Sequence, residues 1–152
     1  MATTDRIEKE VLLRAPRSLV WKALGDYREF GTWFNAVLEG PFEPGTTVRG
    51  TITEPGWEGT RFVVLVQRVE AGRHLSFRWH PYPVDPGAEF SREPTTLVSF
   101  DLEDAPGGTR LRIVESGFDA LPEDRRAKAR ESNEEGWTIQ SERIAKHVAT
   151  SA

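Results

Sequence analysis

Glu115 is the residue whose position most suggests chemistry. The run 109–115 alternates, with Leu111, Ile113 and Glu115 on one side and Arg110, Arg112 and Val114 on the other. A carboxylate on the apolar side of a strand is costly unless it is paired. Such a group serves as a general base, or as an acceptor that orients a bound molecule. The competing reading is that the strand ends at Glu115 and its side chain reaches water, as most carboxylates do. His80 stands beside a proline-rich stretch and is the second candidate for moving a proton. An enzyme would need the two as a convergent acid–base pair. Asn133 and Gln140 lie four residues before and three after Trp137, so one helix face carries all three. Either amide can meet a ligand carbonyl, and either can be ordinary helix surface.

The aromatic residues are the second resource. Trp33, Phe34, Phe62, Phe77, Trp79, Phe100 and Trp137, with Ile113, come from separate segments. Ligand pockets are mostly apolar with a few placed polar groups, and these residues with Asn133 would line one. The bland alternative is a core filled by the same rings, the commonest use of buried aromatic side chains.

Other chemistries find no support in the residues. His74, His80 and His147 share no metal-ligand spacing, so no metal site is expected; His74 and His147 read as surface. Ser76, Ser99 and Ser116 sit in no Gly-x-Ser-x-Gly elbow. Gly107-Gly108 belongs to a hairpin turn, and neither a phosphate loop nor a dinucleotide fingerprint is present, so no cofactor is implied. The chain has no cysteine, which rules out disulfides and thiolate metal sites and suits a cytoplasmic setting. Net charge is −4, and the basic residues are dispersed rather than gathered on one face, which argues against nucleic-acid binding. The start shows no apolar targeting segment, and the longest apolar run, 62–66, is too short to insert in a membrane.

The elements that must position these groups are readable. Alternation predicts strands over 6–13, 48–53, 61–69, 75–80, 96–103 and 109–115. The run 61–69 is apolar on both faces, which suggests cover on both sides. Pro16 opens a short helix carrying Leu19, Val20, Ala23 and Leu24, and a second short helix over 27–33 reads as interrupted at Gly31. Residues 81–94 hold Pro81, Pro83, Pro86 and Pro94 and form the longest irregular stretch, read as a lid or a mobile connection. A last helix opens at Pro122-Glu123 and runs to about residue 148, roughly 40 Å long. Its first half is polar; from Trp137 onward, Ile144 and Val148 continue one apolar stripe. At 152 residues the chain is expected to be one domain, 1–152.

The order is strand, two short helices, five strands, long helix. Six segments follow it: 15–24, Trp33, 69–79, 107–111, Ser116-Gly117-Phe118 and Glu135-Gly136-Trp137. With that order the chain resembles the START-like helix-grip superfamily (SRPBCC; Bet v-like, polyketide cyclase/dehydrase). Its nearest branch resembles the activator of heat-shock-protein-ninety ATPase homologues. The resemblance implies an α+β helix-grip fold, a curved antiparallel six-stranded sheet wrapped round the long C-terminal helix. It implies binding of a small hydrophobic or amphipathic molecule between sheet and helix, with no reaction assigned. A cyclase or dehydratase acting on a polyketide-like substrate in the same cavity is the first rival. A co-regulator of a chaperone ATPase is the second, with a chaperone or a second copy of the chain as protein partner.

Overall fold

The computed structural model describes residues 5–81 and 94–151. Most of the proline-rich stretch 81–94 lies outside them. Strand β1 (Arg6–Leu13) leads through Ala15-Pro16 into α1 (Arg17–Gly25) and α2 (Tyr27–Phe34). Then come β2 (Ala36–Leu38), β3 (Thr47–Ile52), β4 (Arg61–Glu70), β5 (His74–Trp79), β6 (Thr96–Ala105) and β7 (Gly108–Ser116). A single turn of tight helix, Phe118–Ala120, precedes α3 (Glu123–Ser151).

The sheet has seven strands, not six, in the order β1-β7-β6-β5-β4-β3-β2, and every neighbouring pair is antiparallel. The extra strand is β2. It is too short to show a period, and two local features produce it. Gly31 does not break α2; it lets the chain beyond the helix approach, since a Cβ there would stand 2.3 Å from the Ala36 carbonyl oxygen. Asn35 then ends the helix in the left-handed region (φ 64°), a conformation asparagine tolerates, and the chain turns onto the edge of β3. The β6–β7 hairpin closes over Pro106-Gly107, and Gly107 takes the positive φ (87°) that a proline-led turn asks of its next residue.

One face of the sheet is apolar and carries the helices. Leu75 and Phe77 of β5, Val98 and Phe100 of β6, and Leu111 and Ile113 of β7 are all buried on it. The other face is charged: Arg112 meets Glu8, and Arg110 meets both Glu10 and Glu103 across β1, β7 and β6. β4 is covered on one side; Phe62, Val64 and Val66 are buried while Val63 and Leu65 are half-exposed, so cover on both faces is not found. A bulge between Val66 and Arg68 interrupts the pairing of β4 with β5. Helix α3 buries Ala129, Trp137, Ile144 and Val148 on one stripe. Its polar first half is also anchored, with Arg130 donating to the Arg6 carbonyl and Arg126 to that of Leu121.

Candidate functional site

Glu115 does not reach water. The strand continues to Ser116, and Glu115 is 0% exposed, with Ile7 and Val98 beside it on the neighbouring strands. Four side chains from three elements converge on its carboxylate. The indole N–H of Trp137 donates to Oε1 at 2.8 Å, and that of Trp79 to Oε2 at 2.9 Å. The Thr96 hydroxyl lies 2.5 Å from Oε2, and the Asn133 amide nitrogen lies 3.0 and 3.1 Å from the two oxygens. Trp79 and Thr96 are themselves a cross-strand pair on β5 and β6. Both oxygens are occupied, which is how a buried acceptor avoids its desolvation cost. Among the described residues Glu115 makes no ion pair, so hydrogen bonds alone satisfy it. His80 is not part of this network; its Nδ1 lies 3.3 Å from the Pro94 carbonyl oxygen.

The rings read as cavity lining lie together, and they occupy the space they were expected to surround. Trp79 stacks on Trp137 with centroids 5.7 Å apart, and Phe100 meets Trp137 edge-on at the same distance. Phe34 touches Phe62, Trp79 and Trp137, and Phe77 touches Trp79 and Phe100. At the centre is Phe30, missed by sequence reasoning, with six ring neighbours including Phe34 at 5.1 Å and Phe42 at 5.2 Å. Ile113 is buried beside Phe100, its cross-strand partner in the sheet. Trp33 is tied to the helix pair, its indole donating to the Ala23 carbonyl at 2.8 Å. Asn133 turns to Glu115 rather than outward.

Among the described residues, two open grooves stand out on the surface. One, of about 310 Å³, runs along Glu39–Pro41, Glu43 and the start of β3, away from the rings. The other, of about 280 Å³, lies between α3 and the turn joining β3 to β4. Phe34, Ile52, Glu54, Trp57, Thr60, Gly136, Ile139, Gln140 and Arg143 line it. Through Phe34 it abuts the ring cluster. Of the candidate site residues of the sequence, Phe34 and Gln140 belong to this groove, together with Gly136 of the segment Glu135-Gly136-Trp137.

Its walls are unusual in three ways. Trp57 and Ile139 are large apolar side chains left 62% and 43% exposed on opposite sides. Trp57 is presented by a built turn: its N–H bonds the Glu54 carbonyl, Gly59 N–H the Ile52 carbonyl, and Thr60 N–H the Trp57 carbonyl. Gly136 sits inside a helix with open space where its Cβ would be, although glycine there costs about 1 kcal/mol relative to alanine. Gln140 has its Oε1 buried with no hydrogen-bond partner, while Nε2 reaches the Phe34 carbonyl at 3.4 Å.

The polar end of the groove is a charge pair. Arg143 donates to Glu54 Oε1 at 2.8 Å, and Asn35 to Oε2 at 2.7 Å. The bond from Arg143, then that from Asn35, holds the Glu54 carboxyl below the usual carboxylate range. The other two histidines are half-buried and paired, His74 with Asp101 at 2.7 Å and His147 with Glu29 at 2.9 Å, so neither is plain surface. Among the described residues no cluster of three His, Asp or Glu could hold a metal ion, and no helix is long and apolar enough to cross a membrane.

The family model described as "Activator of Hsp90 ATPase homolog 1-like protein" matches residues 14–149. No curated protein matches the sequence. Among solved structures, a protein of Arthrobacter aurescens superposes with a TM-score of 0.81 at 21% identity, over 99% of this chain and 90% of that one. A Mesorhizobium loti protein gives 0.77 at 22% identity, over 97% and 98%. DynU16, a protein of the dynemicin biosynthetic locus, gives 0.75 at 25% identity; 97% of this chain aligns to 48% of DynU16.

Proposed function

The chain belongs to the Activator of Hsp90 ATPase homolog 1-like family, and from that premise we propose that it binds a small apolar or amphipathic molecule against its C-terminal helix, outside the filled ring cluster and next to the turn joining β3 to β4. The groove bordered by Phe34, Trp57, Gly136 and Ile139 is the site. The observation that carries this reading is the pairing of two exposed apolar side chains, Trp57 and Ile139, across a helix position stripped to glycine. Exposed apolar surface of this kind marks an interaction site, and the groove is near the lower end of the size range of small-molecule pockets. The relation to DynU16, from a biosynthetic locus, favours a natural-product-like ligand.

Binding is favoured over catalysis by the state of the two nearest carboxylates. Glu115 is fully buried and both of its oxygens are occupied. Glu54 is on the groove wall, but Arg143 and Asn35 keep it a poor proton acceptor at neutral pH. Native mass spectrometry of the protein purified from its own host tests the reading. A retained small molecule that is lost in a Gly136→Leu variant is the expected result. Protein carrying no guest, or the same guest in both forms, would refute it.

A further inference from the structure

We propose that the groove selects a neutral, flat aromatic molecule carrying one phenolic O–H or amide-type N–H, which it donates to Oε1 of Gln140. This rests on the binding reading above and adds the class of ligand.

Gln140 carries an orphaned acceptor. Gln140 lines the groove, and its Oε1 is buried without a partner. A full reversal of the amide would not satisfy it, because that would set its oxygen against the Phe34 carbonyl, which Nε2 now faces at 3.4 Å. An unmet buried acceptor costs about 1–3 kcal/mol. That cost is recovered if a ligand brings the missing hydrogen. The terminal torsion of glutamine is broad, and the bond it must loosen is long, so turning Oε1 toward the groove is cheap.

The shape of the groove favours a flat aromatic guest. The ring of Phe34 and the indole of Trp57 supply aromatic surface, and Gly136 lets a thin molecule lie against the helix backbone. Aromatic pairs gain about 0.5–1.5 kcal/mol beyond the area they bury, which an aliphatic guest forgoes. The volume, about 280 Å³, is that of roughly nine waters.

The charges of the groove favour a neutral guest. Arg143 and Glu54 already neutralise one another at the polar end. An anion entering there meets Glu54 and a cation meets Arg143, so each must disrupt a pair that a neutral guest leaves intact.

The test is calorimetric titration with β-naphthol and three relatives. β-Methoxynaphthalene lacks the donor, β-naphthoate adds a charge, and decahydro-β-naphthol keeps the hydroxyl but loses the flat rings. β-Naphthol should bind tightest, with the methoxy compound about tenfold weaker, the equivalent of one hydrogen bond. In Gln140→Leu that tenfold gap should vanish. Equal binding of the hydroxyl and methoxy forms would overturn the proposal. So would a gap that survives in Gln140→Leu, tighter binding of the naphthoate or the saturated alcohol, or no binding of β-naphthol. None of these touches the broader binding reading. That reading falls on a different result, a host-derived guest indifferent to Gly136→Leu.

Discussion

The indole N–H of Trp137 on α3 points into the sheet and ends 2.8 Å from Oε1 of Glu115 on β7. This bond ties the long helix to the strand beneath it. Trp79, Thr96 and Asn133 complete the attachment, so β5, β6, β7 and α3 share one acceptor. The carboxylate thus acts as a fastening point behind the ring cluster, and the groove borders the same stretch of helix through Gly136.

Replacing Glu115 by glutamine keeps the shape but sets an NH2 group against donors. At least one indole N–H would then be buried and unpaired. Glu115→Gln should destabilise the fold by about 3 kcal/mol, or about 10 °C in Tm for a chain of this size. Trp137→Phe, which keeps a ring and loses one donor, should cost less. Urea unfolding measures both; a Glu115→Gln variant as stable as the parent would mean the network contributes nothing.

Gly136 is expected to trade stability for space. Alanine there has open room and a better helix propensity. Gly136→Ala should raise stability by about 0.5–1 kcal/mol while weakening ligand binding. A destabilised Gly136→Ala protein would show that the glycine serves the packing of α3 instead.

Trp57 should show the opposite separation. It is 62% exposed, so Trp57→Ala should change stability by no more than about 0.5 kcal/mol. Affinity for a groove ligand should fall about tenfold, the loss expected for an aromatic stacking face. Parallel thermal melts and titrations of the variant separate the two effects. Unchanged affinity would remove Trp57 from the site.

The Glu54–Arg143 pair predicts part of the acid response. The folded protein holds Glu54 below its ordinary value of 4.5. A carboxylate depressed on folding stabilises the native state above its unfolded pKa, and that contribution is lost as pH falls through the folded one. Stability should therefore decline below about pH 4.5, and Arg143→Leu should shrink the share due to Glu54. Urea midpoints taken from pH 6 down to about pH 3 read this out; identical acid limbs in the two proteins would contradict it.

How much of this could be read from the sequence depended on periodicity. β5 shows Leu75, Phe77 and Trp79 against Ser76 and Arg78, so its apolar face was plain, although the strand runs from His74 to Trp79 rather than over 75–80. The same alternation placed Glu115 inward, but not the two indoles that meet it, because they arrive from β5 and α3. β2 was not legible: three residues carry no period, and the strand follows from Gly31 and Asn35 rather than from its own composition. The groove was not legible either. Trp57 and Ile139 are 82 residues apart and each alone is an ordinary exposed side chain; the only hint was a glycine in mid-helix beside Trp137.

The most direct measurement follows the five tryptophan indole N–H signals in a nitrogen-15 NMR spectrum while a small-molecule extract of the host cells is added. Trp33, Trp79 and Trp137 are held by bonds to Ala23 and Glu115, whereas Trp57 stands at the lip of the groove. The account predicts that the Trp57 signal moves and those three stay. Movement of Trp79 and Trp137 with Trp57 fixed would put the guest inside the ring cluster and contradict it.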